Sequence, residues 1–284
     1  MDEKSSAESG SIDLYTGFSP LSRQALSYWA DKITSLGGEG DFFSALEGVN
    51  STLLDGNLVM LFDHHYAFDA FPLALAMGGL VKNISSVILP YAVHLDMALG
   101  RGGEPSLRYR LRTRAFHWIK NHITRGNPQI HFYPVAREFE LETPRLKTVV
   151  DKEYDGINTT YLKNFIRTFS DNPSGNISFL SPFAGIGFPD KPVLHPQLFR
   201  SIQMVRARSK HKISYCITGA YPDWGAYQSF IAPMLMQHRI VLSRLFHLPT
   251  GEYEEARDVV NSKLTELRRS AGFTPPDYEK ILLK

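Results

Sequence analysis

The sequence predicts an α/β fold in which helices flank a central, mostly parallel sheet, with a short helical segment at the N-terminus. The order of apolar runs and helical stretches predicts this fold class, and two features of the composition indicate a protein that folds around a core without disulfides. From residue 57 onward, short apolar runs alternate with longer stretches of helical periodicity. Hydrophobic residues make up 43% of the chain and charged residues 21%, which is typical of a protein that forms a core. The single cysteine, Cys216, excludes an internal disulfide and a cysteine-rich zinc site.

The N-terminal part is predicted to differ from the rest of the chain. Residues 1–50 should form a polar tail and a helical segment, and residues 51–284 the α/β domain. Apolar residues recur at helical spacing over residues 22–36, and Gly37-Gly38 ends that pattern. A second short helix is predicted over residues 42–46.

Five apolar runs in the main domain predict strands, because each is short and a helical stretch separates it from the next. The strands are predicted over residues 57–62, 86–89, 129–135, 176–180 and 212–218. The helices are predicted near residues 70–80, 105–121, 159–170, 195–208 and 224–237, and over 252–270.

The last of these helices has the clearest amphipathic pattern. The apolar residues Val259, Val260, Leu264 and Leu267 fall on one face, and acidic residues crowd the first turn. Arg268 and Arg269 lie at the end, where the helix dipole favours cations. The arginines are therefore interpreted as helix-terminal charges.

Charge and hydropathy exclude several classes of protein. The net charge of +2 is too small to predict a nucleic-acid partner. The longest apolar candidate, residues 70–81, is shorter than the about 20 residues that cross a bilayer. The N-terminal sequence MDEKSSAESGSID has acids and no apolar stretch, so it predicts neither a signal peptide nor a transit peptide. We expect a cytoplasmic protein, either soluble or peripheral on a membrane.

The segment Asp63-His64-His65-Tyr66-Ala67-Phe68-Asp69 directly follows a predicted strand. In open α/β sheets, ligands bind beyond the carboxyl ends of the strands. The spacing of His64 and Asp69 allows the carboxylate to meet one imidazole nitrogen. The other nitrogen is then free to take a proton from a hydroxyl group.

Other interpretations of these residues remain open. Asp69 could be only the N-cap of the next helix. His64 could be a hydrogen-bonded core histidine, or it could join His65, Asp69 and His94 in a metal site.

The segment resembles the H-x4-D box of the glycerophospholipid acyltransferase family, the glycerol-3-phosphate and lysophosphatidic acid acyltransferases. The family box usually begins with asparagine, where this chain has Asp63. Stretches similar to the three later family blocks follow in order, at residues 132–137, 177–185 and 212–220. The resemblance spans residues 57–270.

The resemblance implies acyl transfer from acyl-CoA or acyl carrier protein to a hydroxyl of a glycerol-phosphate or lysophospholipid-type acceptor. His64 would be the general base and Asp69 the residue that orients it. The thiolate of the donor leaves easily, so neither a covalent acyl-enzyme nor a metal or cofactor is expected. Cys216 lies in a predicted strand and is interpreted as a core residue.

The third block departs most from the family pattern. It is nearest to the plastid-type block through Pro182 and Gly185, and backbone donors there would hold the thioester oxyanion. Ile186 and Phe188 stand where those enzymes have arginines for the acceptor phosphate.

Another cation must therefore bind the phosphate, or the acceptor is less anionic. Arg137 and Lys191 are the candidates, and each is otherwise a solvated surface charge. Two alternatives follow: acyl transfer to a non-phosphorylated alcohol, or a catalytically silent lipid- or carrier-binding protein of the same fold.

Residues 101–125 carry seven Lys or Arg and one Glu, a local charge of +6. Phe116 and Trp118 lie among these charges. Such a segment can contact anionic lipid headgroups, an acidic carrier protein or the phosphates of coenzyme A. Alternatively, it is a solvated helix face whose aromatic residues turn to the core.

Overall fold

A seven-stranded, mostly parallel sheet with helices on both faces organises the chain. The computed structural model describes residues 12–37, 39–64, 74, 77, 79–92, 107–136, 141–142, 144–153, 155–183, 193–222 and 237–273. The strands are β1 (Thr34–Leu36), β2 (Asn57–Asp63), β3 (Ser86–Ala92), β4 (Ile130–Val135), β5 (Asn176–Leu180), β6 (Ile213–Pro222) and β7 (His238–Leu242). They lie in the order β1-β7-β6-β2-β5-β3-β4, and all neighbours are parallel except β6 and β7.

Seven helices connect and cover these strands within the described residues. They are α1 (Pro20–Ile33), α2 (Glu39–Asp55), α3 (Leu107–Gly126), α4 (Pro144–Glu153), α5 (Ile157–Asp171), α6 (Pro196–Arg208) and α7 (Tyr253–Ser270). The predicted α/β fold class and all five predicted strands are confirmed. The predicted helix near 224–237, and most of the one near 70–80, lie outside the described residues.

Strand β2 lies near the middle of the sheet and is buried along its whole length. Its alternating side chains enter two separate hydrophobic clusters. Met60 and Phe62 face the cluster that includes residues of α2. Leu61 faces the cluster built with α5, α6 and α7. Packing on both faces therefore fixes the end of β2, from which the segment beginning at His64 continues.

Two strands and one helix were not predicted: β1, β7 and α4. The predicted helix over 22–36 is wrong at its end, because α1 stops at Ile33 and Thr34 begins β1. The Thr34 hydroxyl donates a hydrogen bond to the Ala30 carbonyl oxygen at 2.6 Å, which caps the helix. The extended chain then pairs with β7, so sheet pairing outweighs the helical pattern there.

Among the residues that the structure describes, no helix combines the length and the apolar character needed to cross a membrane.

Candidate active site

The carboxyl ends of β2 and β5 lie side by side, because Leu61 pairs with Leu180 in the parallel register. His64 follows β2 directly, and Pro182 lies two residues beyond the end of β5. Two of the predicted site residues are thus brought to the same edge of the sheet. This is the edge at which open α/β sheets bind ligands.

His64 is half-buried, and its ring centroid lies 5.4 Å from that of Phe62. Residues two apart along a strand share a face, so His64 projects on the Phe62 side of the sheet. Asp63 points to the opposite side, toward α7. The candidate base and the acidic residue before it are therefore separated by the sheet.

The remaining predicted site residues, Asp69, Arg137, Gly185 and Lys191, lie outside the described residues, as do His65 and His94. The pairing of His64 with Asp69 stays a prediction. Within the described ranges, no group of three or more His, Cys, Asp or Glu side chains could hold a metal ion.

A buried ionic cluster occupies the end of β2. The Asp63 carboxylate is fully buried, with an exposed fraction of 0%, and it accepts two hydrogen bonds from Arg268. The guanidinium Nε donates to Oδ2 and Nη2 donates to Oδ1, each at 2.8 Å. The Tyr221 hydroxyl donates a third bond to Oδ2 at 2.5 Å. This bidentate geometry pairs the charge and restricts both side chains.

The protonation states agree with this geometry. Burial and the charge of Asp63 raise the pKa of the Tyr221 hydroxyl well above its usual value, so it remains a donor. Burial would lower the pKa of the Arg268 guanidinium, but the hydrogen bonds and charge of Asp63 outweigh it, and the pKa is raised. Only 22% of the Arg268 side chain is exposed. The described part of the cluster therefore pairs the Asp63 carboxylate with the Arg268 guanidinium and with a phenol that keeps its proton.

Local backbone features make room for this cluster. A Cβ atom at Gly219 would lie 2.7 Å from Cζ of Tyr221, so the tyrosine ring can fold back only over a glycine. The Tyr221 ring also stacks on Phe273, with centroids 4.3 Å apart. Gly272, at φ +65°, turns the chain at the end of α7 and brings Phe273 to that position.

Two other strand ends at this edge are also held in place. The Asn158 side-chain amide, from the first turn of α5, bonds both backbone groups of Ala136, at 2.8 Å and 2.9 Å. Ala136 directly precedes the predicted phosphate ligand Arg137. The Pro182 carbonyl oxygen accepts from the backbone N–H of His195 at 2.8 Å. The loops that would carry substrate contacts thus begin from fixed positions.

The cluster around Asp63 was missed by sequence reasoning. The helical pattern marks Arg268 only as a helix-terminal charge, and the H-x4-D box marks Asp63 only as a variant position. A carboxylate that ends a buried apolar strand needs a buried partner, and this was the available signal. The partner lies 205 residues away along the chain, however, so spacing could not identify it.

Cys216 lies in β6 and is fully buried, as the sequence predicted. Burial raises the pKa of its thiol, so the thiolate that a nucleophile requires is disfavoured.

The basic segment is helical from Leu107 to Gly126. Phe116 packs inward, with its ring 5.1 Å from that of Tyr91. Trp118 is 52% exposed and lies 5.5 Å from the ring of Phe18. The interpretation in which the aromatic residues turn to the core therefore holds for Phe116 but not for Trp118.

No protein-family model and no curated protein matches this chain. The resemblance to glycerophospholipid acyltransferases rests on the four sequence blocks alone.

Proposed function

We propose that this protein is an O-acyltransferase. It moves a fatty acyl group from acyl-CoA or acyl carrier protein to a hydroxyl of a glycerol-phosphate or lysophospholipid-type acceptor. The observation that supports this proposal is the position of His64. It is the first residue beyond a fully buried central strand, at the ligand-binding edge of a mostly parallel sheet, and it opens an H-x4-D box.

In this mechanism, His64 removes the proton of the acceptor hydroxyl as its oxygen attacks the thioester carbonyl carbon. Asp69 holds the imidazole in the tautomer that accepts this proton and stabilises the imidazolium. The tetrahedral intermediate collapses, the carbon–sulfur bond breaks, and the thiolate leaves. The imidazolium then returns its proton to the thiolate, so His64 is ready for the next cycle.

The thioester oxyanion is assigned to backbone donors after Pro182. Proline has no N–H group and cannot itself donate. The donors must therefore come from the following residues, up to Gly185. Arg137 and Lys191 remain the proposed cations for an acceptor phosphate.

A product screen tests the proposal. The protein is incubated with palmitoyl-CoA or palmitoyl-acyl carrier protein and with glycerol 3-phosphate, lysophosphatidate, other lysophospholipids, glycerol or a long-chain alcohol. Mass spectrometry identifies esters, and a chelator is added in a parallel series. We expect a phosphate-containing ester that forms equally well with the chelator. An ester only with uncharged alcohols would exclude the phosphorylated acceptor.

His64→Ala and His65→Ala form a matched pair for this screen, because they are adjacent and identical in chemistry. We expect turnover to be lost only in the first variant. If no acceptor gives a product while acyl thioester still binds saturably, the protein is a silent carrier- or lipid-binding member of the fold.

We further propose that α3 brings the protein to an anionic membrane surface, where lipid acceptors reside. Residues 107–126 contain six Lys or Arg and no acid, and Trp118 of the same helix is exposed. Each basic residue near an anionic surface contributes roughly 1 kcal/mol of binding, which salt screens. An exposed tryptophan adds interfacial anchoring.

Vesicle co-sedimentation at low and high salt tests this contact. Vesicles with phosphatidylserine should bind wild-type protein at low salt only. Trp118→Ser and the quadruple Arg→Ser variant of Arg108, Arg110, Arg112 and Arg114 should bind less. Met204→Ser, which removes an exposed apolar side chain from α6, is the control and should bind normally.

The membrane role would be excluded if wild-type protein did not bind these vesicles at low salt. A quadruple variant that keeps vesicle binding but uses acyl carrier protein poorly would indicate a carrier-docking site instead.

A further inference from the structure

The buried cluster of Asp63, Arg268 and Tyr221 joins three parts of the fold behind the candidate base. Asp63 is the last residue of β2, Tyr221 lies near the end of β6, and Arg268 lies in the last turn of α7. All three meet on the side of the sheet opposite to His64. A peptide bond links Asp63 directly to His64, so fixing one residue restricts the other.

The chemistry of the cluster is unusual for a purely stabilising contact. Two charges lose most of their hydration there, and well-packed apolar side chains of similar volume often stabilise a protein as well or better. A bidentate guanidinium–carboxylate pair instead supplies directional restraint, because both hydrogen bonds must be satisfied in one plane. The Tyr221 hydroxyl donates a further hydrogen bond to the same carboxylate, from another direction. Restraint of this kind is useful where a side chain must be held in a single geometry.

We propose that Arg268, Asp63 and Tyr221 are positioning residues for His64: they fix the end of β2 from behind, so that the imidazole stands in the geometry needed for proton removal. None of the three touches the substrate. The inference deepens the proposed acyl transfer and rests on it for its kinetic readout, but not for its structural one.

Kinetic measurements on four variants test the proposal. Arg268→Met and Asp63→Asn break the pair, and Arg268→Lys keeps the charge but loses the planar fork. Arg269→Met is the matched control, because Arg269 is the adjacent, exposed residue of the same helix turn. Assays are run at a temperature at which circular dichroism shows every variant to be folded.

We expect kcat to fall by about 100-fold in the two pair-breaking variants, as a misplacement of about 1 Å can cause, with KM little changed. Arg268→Lys should recover part of this loss, and Arg269→Met should match wild type. If folded Arg268→Met turns over at the wild-type rate, the cluster is only structural and the proposal is overturned.

A second readout does not depend on activity. The imidazole carbon-bound proton resonance of His64 is assigned by comparison with His64→Gln, using protein labelled at histidine. In Arg268→Met we expect this resonance to move and broaden, and in Arg269→Met to stay in place. An unchanged His64 resonance in a folded pair-breaking variant would overturn the positioning role. If wild-type protein transfers no acyl group at all, the proposed function fails while this measurement still decides the positioning role.

Tyr221→Phe covers the case in which the pair-breaking variants do not fold. It keeps the ion pair and removes one hydrogen bond. We expect about a tenfold loss of kcat and a smaller movement of the His64 resonance, since one hydrogen bond to a charged group is involved. If both quantities stay at their wild-type values, Tyr221 has no positioning role, and the proposal of a three-residue positioning cluster is overturned.

Discussion

The two ends of strand β2 bury polar side chains in opposite ways. At the amino end, Asn57 and Asn176 are fully buried and uncharged. The Asn176 side-chain amide donates to the Asn57 side-chain oxygen at 2.7 Å, and the Asn57 amide donates to the Asn172 carbonyl oxygen at 3.3 Å. At the carboxyl end, Asp63 carries a charge and needs the guanidinium of Arg268 to balance it.

The strand thus buries polar groups in two ways, with neutral amides at one end and an ion pair at the other. Neutral amides are satisfied by one another and by nearby backbone groups, so the amino end tolerates burial without a counter-ion. The ion pair at the carboxyl end is the more costly arrangement, because both charges are desolvated. The chain carries that arrangement beside His64, at the edge where a ligand would bind.

The largest effect should come from the residues beyond the carboxyl end. His64→Ala and Asp69→Ala should each lower turnover by about 100- to 10,000-fold, because proton removal needs both the base and its orienter. Denaturant unfolding should show little change in stability. If Asp69 is only an N-cap, its alanine variant would instead lose about 1 kcal/mol of stability and keep its turnover.

Breaking the charged cluster should give the largest loss of stability. Asp63→Asn or Arg268→Met should lower the free energy of unfolding by about 3–5 kcal/mol, because each removes one charge of a buried pair and leaves the other in place. The double variant should recover most of this loss, since both charges are then absent. Urea unfolding of all four proteins measures the coupling, and simple additivity of the two single losses would contradict a buried pair.

Breaking the amide network at the amino end should be milder and leave catalysis intact. Asn176→Ala should lower the free energy of unfolding by about 1–3 kcal/mol, because the partner amide groups of Asn57 remain buried with fewer bonds. The kcat of the folded variant should equal that of wild type. A large loss of turnover in folded Asn176→Ala would remove the contrast between the two ends.

The smallest effect should appear at alkaline pH. The pKa of Tyr221 is higher in the folded state than in the unfolded state, where it is about 10. The protonated Tyr221 hydroxyl therefore contributes fully to stability below pH 10, and this contribution declines as the pH rises above 10. Burial also raises the pKa of Tyr215, to about 12, which gives wild type a further slope in the same direction. Above pH 10, the free energy of unfolding of Tyr221→Phe should fall less steeply than that of wild type. The difference should be about 1.4 kcal/mol per pH unit, because one titrating proton is removed. Unfolding free energies at several alkaline pH values measure this slope, and identical slopes in both proteins would contradict a buried, protonated Tyr221.

The sequence was informative where structure follows from local pattern. The five predicted apolar runs form strands, and their local pattern of apolar residues is enough to identify them. The three residues of β1 have no pattern of their own and become a strand only by pairing with β7, about 200 residues later. The site divides in the same way. His64 could be placed from its spacing after β2, whereas Asp63 required knowledge of where α7 packs.

The lack of a side chain at Gly219 also restricts the order in which substitutions at positions 219 and 221 can occur in evolution. A Cβ atom there would lie 2.7 Å from Cζ of the Tyr221 ring, so an alanine is acceptable only where that ring has already been replaced by a smaller side chain. Losing the phenol first leaves the Asp63 carboxylate with Arg268 but without its third donor. Positions 219 and 221 are therefore coupled: a side chain at 219 requires a smaller one at 221, and the aromatic ring at 221 requires a glycine at 219.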